Sequence, residues 1–104
     1  MNMPEKTFQL SISDIPDKKY MVKYFNEKTK EINTIHFGSS SYDNYTQHKD
    51  EDRQRLYKLR HAKDKINNLE YAGCWSWWLL WNKKTLKESI EDMEDRFKID
   101  IIIK

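Results

Sequence analysis

The sequence predicts an α+β fold: a three-stranded antiparallel meander, then three helices and a short C-terminal strand. Three observations carry this. Apolar residues alternate with a period of two before Phe37, a helical stripe recurs from Leu86 to Phe97, and all four tryptophans fall between Trp75 and Trp81. Period two is the mark of a half-buried strand, and period 3.6 that of an amphipathic helix.

Residues 7–12 alternate, with Phe8, Leu10 and Ile12 on one side. Asp14-Ile15-Pro16-Asp17 supplies turn chemistry, because proline presets φ and aspartate bonds its own backbone. A second strand runs from Lys19 to Phe25, a loop of 26–30 follows, and Glu31 to Phe37 returns. Residues 7–37 therefore form a β meander. Gly38 and three serines end the sheet, and Tyr42 to Tyr45 lead across to the helical part, 49–97.

A helix is predicted from Lys49 or Asp50 to about Lys65. Asp50, Glu51 and Asp52 place negative charge at its positive end. Its apolar stripe is thin: Leu56, Leu59, Ala62 and Ile66, with Tyr57 beside them. Asn67-Asn68 breaks it, and Gly73 allows entry to a helix apolar on nearly all sides, with Trp75, Trp78 and Leu79 on one face and Trp77, Leu80 and Trp81 on another. Thr85 caps the last helix, and Glu88 three residues on fits a capping box. Leu86, Ile90, Met93 and Phe97 form its single stripe. Ile99 and Ile101 to Ile103 then read as an edge strand, 99–103.

At 104 residues the chain is one domain, 1–104. Its 38% apolar content is low and its 35% charged content high, but 13% aromatic residues supply the buried area a folded core needs. A net charge of +2 creates no global field to steer nucleic acid. One cysteine excludes an intrachain disulfide framework and fits a reducing compartment. No apolar stretch is long enough to span a membrane, and the N-terminus shows no signal-peptide core.

Chemistry has few places to reside. His36, His48 and His61 lack the close paired spacing of a structural zinc site, and nothing requires His36, His48 and Cys74 to meet. Cys74, near the start of the tryptophan helix, would be a low-pKa thiol if exposed, but its large apolar neighbours favour an inert buried one. There is no glycine-rich phosphate loop and no Gly-x-Ser-x-Gly. The chain reads as no enzyme, with no cofactor, no metal and no small-molecule substrate.

Two interaction surfaces remain. Lys49, Arg53, Lys58, Arg60, His61 and Lys63 interleave with tyrosines, a pattern suited to phosphate contacts and stacking. The plainer alternative is a solvated amphipathic helix, since four acidic residues share the segment. The tryptophan run is either the core or, in part, a docking surface, because tryptophan is a favoured interface anchor. Trp75, Trp77, Trp78, Trp81, Ile101 and Ile103 are the candidate interface residues.

One ordered series of residues adds to this. It comprises Thr34-Ile35-His36-Phe37-Gly38, Tyr45-Thr46-Gln47-His48-Lys49-Asp50, Arg53, Tyr57, Arg60-His61, Ala72-Gly73-Cys74-Trp75-Ser76, Leu79-Leu80-Trp81-Asn82-Lys83, Thr85-Leu86 and Ser89-Ile90. Across about residues 18–98 the chain resembles a family of small uncharacterised proteins of the large nucleocytoplasmic (giant) DNA viruses. Lys84 stands where that family usually has proline, Trp77 where it has a basic residue, and no tryptophan lies near Lys65 to Asn67. The resemblance implies a viral protein and no reaction. The expected function is a non-enzymatic structural protein, a minor capsid or capsid-associated component made in the host cytoplasm and carried in the virion. Its partners would be other virion proteins or itself. The alternative is a small nucleic-acid-binding protein, for genome packaging or transcription, acting through the helix 49–65.

Overall fold

The alternating segments pair as their pattern predicts. In the computed structural model, which describes residues 6–104, β1 (Lys6–Ile12), β2 (Lys18–Asn26) and β3 (Glu31–Ser39) form an antiparallel meander. The expectation of an N-terminus without a signal-peptide core falls largely outside the described residues. Leu10 lies opposite Val22, Val22 opposite Ile35, and Tyr20 opposite Phe37. Phe8, Leu10, Val22, Tyr24 and Phe37 thus share one face and are buried there. Asn26 closes the second hairpin: its carbonyl accepts the Lys30 amide at 2.7 Å, and its side-chain oxygen accepts the amide of Lys28.

β4 (Ile99–Ile103) joins the edge beside β1, giving the order β3-β2-β1-β4. It runs parallel to β1, with Ile99 opposite Lys6 and Ile103 opposite Leu10, so the sheet is mixed and not purely antiparallel. The sequence predicted the strand but not its direction. Direction follows from where the last helix delivers the chain, next to the start of β1.

The helical segments from residue 72 onward pack on one face of the sheet. α1 (Tyr45–His48) is a single turn where the sequence suggested a plain crossing segment. Asn44 caps it, accepting the Thr46 amide, while the Gln47 side chain accepts the Asn44 amide, both at 3.0 Å. α2 (Glu51–Arg60) is capped by Asp50, which accepts the amides of Asp52 and Arg53. It ends at Arg60, well short of Lys65. The indole N–H of Trp78 takes the Ile66 carbonyl at 2.7 Å, and that of Trp75 takes the Leu69 carbonyl at 2.8 Å. A continuing helix would have used carbonyls of that stretch within itself. The predicted stripe of α2 is also corrected: Leu56 and Leu59 are 44% and 63% exposed, and Tyr57 is the buried residue.

The tryptophan run is not one regular helix. α3 (Ala72–Trp75) passes into a π-helical turn, Ser76–Leu80. Cys74, Trp75, Leu79 and Leu80 are buried, while Trp77, Trp78 and Trp81 are half-buried. α4 (Leu86–Phe97) follows the predicted stripe, with Ile90 and Met93 buried and Leu86 and Phe97 packed against the core. Thr85 caps it by accepting the Glu88 amide at 3.1 Å. The core lies between this layer and the sheet, with Trp75 against Phe8 and Phe37 at centroid distances of 5.0 and 6.2 Å. The opposite face of the sheet is uncovered among the described residues.

Candidate functional site

Where β3 ends, the chain must turn away from the sheet at close quarters with the tryptophan segment. Gly38 does this with φ of +78°, and a Cβ there would stand 2.7 Å from Leu80 Cδ1. Beyond the turn, the 42–44 loop, α2 and the Ala72–Ser76 segment stand apart from the start of β2. They enclose a cleft of about 500 Å³. Its floor is Phe37, Leu80, Tyr57 and Trp81, and its rim carries Lys18, Lys19, Arg53, Arg60 and His61, with Asp43 and Asp64 as the opposing charges.

α2 dictates which groups meet there. Arg53, Tyr57, Arg60 and His61 follow one another by four, three and one, so all four project from one side of the helix. Tyr57 is the hinge of the arrangement. Its ring lies parallel to Trp81, at 4.3 Å and 2°, and His61 stacks on it at 4.2 Å and 29°. Trp81 in turn meets His48 at 5.3 Å. A column of four rings therefore runs through this side of the molecule: His48, Trp81, Tyr57, His61. Burial pushes the Tyr57 hydroxyl up to about 12. Gln54 ties α2 to the same segment, donating to the carbonyls of Trp81 and Asn82 at 2.9 and 2.8 Å.

The cations of the rim are not equivalent. The Lys19 ammonium donates to Gln47 Oε1, and burial lowers its pKa, with Asp43 pulling the other way. The His61 ring is held by Asp64, Nδ1 to Oδ2 at 2.7 Å. Arg53 and Arg60 have no carboxylate within salt-bridge distance among the described residues. Two free guanidiniums beside an aromatic wall suit a planar or phosphate-bearing anion.

Residues 8–61 match the model of a family of unknown function, DUF5754. The match covers more than half of the chain. The chain belongs to the DUF5754 family. No curated protein and no solved structure matches it. The DUF5754 match spans the meander, α1 and α2, and ends on His61, the last ring of the column. It thus includes Arg53, Tyr57, Arg60 and His61, whereas Trp81 and the Ala72–Ser76 wall lie beyond it.

Of the six basic candidates, the structure brings three together: Arg53, Arg60 and His61. Lys49 is occupied, its ammonium donating to the carbonyls of Thr46 and Lys84 at 2.7 and 3.0 Å. Lys58 lies over the Trp77 ring at 5.6 Å and burial lowers its pKa. Lys63 is exposed beyond the end of α2 and outside the cleft. Among the interface candidates, Trp75 and Ile101 are buried in the core and offer a partner no surface. Trp78 is bound at its N–H by Ile66 and covered by the Arg96 guanidinium at 4.1 Å, Trp77 is covered by Lys58, and Trp81 sits within the column. Ile103 alone of the six is well exposed.

Sequence inspection missed Lys18, Lys19 and Tyr42. Only Gly38, a glycine closing a strand, marked their neighbourhood. Cys74 is fully buried and its thiol is pushed up to about 12, so it offers no thiolate. Among the described residues no three His, Cys, Asp or Glu side chains gather as a metal site, and no helix is long and apolar enough to cross a membrane.

Proposed function

We propose that this DUF5754 member is a non-catalytic nucleic-acid-binding domain that works through the cleft. The observation that carries this is the pair of unpaired guanidiniums, Arg53 and Arg60, set with His61 on one side of α2 at the mouth of an aromatic-floored cleft. Lys18 and Lys19 approach the same space from β2. Phosphate oxygens supply the anionic partners that Arg53 and Arg60 lack, and bases supply planar faces. The viral setting belongs to the same proposal: a packaging or transcription accessory of a large DNA virus, made in the host cytoplasm.

The test is binding of single-stranded DNA and RNA to the purified chain across a salt series. Wild type should bind with an affinity that falls as salt rises. The double variant Arg53→Ala, Arg60→Ala should bind at least about tenfold more weakly, with its salt slope reduced by roughly 0.7 for each phosphate that is no longer neutralised. Both side chains are exposed, so the variant should keep the wild-type circular dichroism. Failure of the wild type to bind at low salt overturns the proposal.

A second reading, a minor capsid or capsid-associated component docking on virion proteins, draws on a different observation. The sheet's uncovered face carries exposed Phe25, Ile32 and Ile102. Under it the chain should sediment with empty shells and ignore DNA, and Phe25→Ser with Ile32→Ser should release it.

A further inference from the structure

The ring column has one open end. Trp81 meets His48 and Tyr57, and Tyr57 meets Trp81 and His61. Two near-parallel rings only 4.2 and 4.3 Å from Tyr57 cannot share one of its faces, so both faces of Tyr57 are taken. His61 has Tyr57 on one side, and among the described residues no ring lies on the other. Its side chain is 39% exposed and lines the cleft. Asp64 holds the ring by Nδ1, so its plane is set before any ligand arrives. Arg60 adjoins it in the chain, and Arg53 stands two turns earlier on the same side of α2.

We infer that the cleft takes one unpaired base, stacked as the next ring of the column on the free face of His61, with its flanking phosphates held by Arg53 and Arg60. The inference rests on the nucleic-acid proposal above and narrows it to single strands. Of the aromatic residues from Tyr45 to His61, Tyr45 and Tyr57 are buried and His48 lies against Trp81, so within that segment His61 presents the free face. Tyr42, 72% exposed, is a further ring in the lining of the cleft, outside the column. The size of the site agrees: about 500 Å³ admits one nucleotide. A duplex, whose major groove alone is about 12 Å wide, has no place in it.

The experiment compares three fluorescently labelled probes on the full chain: a mixed-sequence DNA single strand, an abasic phosphodiester strand of the same length, and the corresponding duplex. Wild type should bind the base-bearing strand about tenfold or more tightly than the abasic one, with the duplex weaker than the single strand. His61→Ala should bring the first ratio close to one, whereas His61→Phe, which restores a stacking face, should keep it. Arg53→Ala with Arg60→Ala should weaken both strands alike and leave the ratio unchanged. Equal binding of both strands by wild type, an unchanged ratio in His61→Ala, or preference for the duplex would each overturn the inference while the broader proposal stands. Binding of none of the probes would overturn both.

Discussion

His48 sits at the inner end of the ring column with one nitrogen committed. Its Nδ1 accepts the Asp50 amide at 2.9 Å, so the neutral ring carries its proton on Nε2, which is buried with no partner among the described residues. Burial, then the Arg53 charge, lowers its pKa below the ordinary imidazole value of 6.5. A histidine depressed in the folded state takes up its proton more readily when unfolded. Its contribution to stability is therefore full above about pH 6.5 and is lost as pH falls below that toward the lower folded value. The urea midpoint of wild type should drop over this window, and that of His48→Gln should drop less. At this scale the sequence was informative about residue type and silent about occupancy. Arg53, Arg60 and His61 could be named from their spacing, but so could Lys49 and Lys58. Only the fold shows that Lys49 is taken by two carbonyls and Lys58 by an indole.

Local signals that live within one turn were legible, and those that depend on a distant partner were not. Thr85 with Glu88 announced α4, and its stripe of Leu86, Ile90, Met93 and Phe97 packs as predicted. The start of α2 was equally readable from Asp50. Its end was not, because it is set by the indoles of Trp75 and Trp78 drawing on carbonyls at Leu69 and Ile66. Two substitutions separate these kinds of determinant. Thr85→Ala removes a cap and should cost about 1 kcal/mol. Gly38→Ala combines a positive φ with a Cβ driven into Leu80, and should cost more, about 2 kcal/mol. Urea unfolding of the two variants measures both.

Across the whole molecule, the three-stranded meander and the terminal strand could be read from alternation, while the cleft could not. Its walls come from β2, the 42–44 loop, α2 and the Ala72–Ser76 segment, which no spacing rule connects. The isoleucine strand raises a separate question, since an exposed edge of this composition invites pairing with another chain. The Lys104 amide bonds inward to Leu10, so Ile101 points its amide outward, and Glu94 accepts that amide at 3.0 Å. The carboxylate occupies a position that an incoming strand would need. Glu94→Ala should therefore increase concentration-dependent association in sedimentation velocity, while Glu94→Gln, which can still accept, should stay close to wild type. The parallel pairing of β4 with β1 reaches further, into how the chain is made. During synthesis Phe8 emerges among the earliest core residues, yet its neighbour Ile101 is among the last. The sheet cannot be completed until residue 103 has cleared the ribosome, so a chain stalled before that point would carry an unclosed sheet for a chaperone or protease to find.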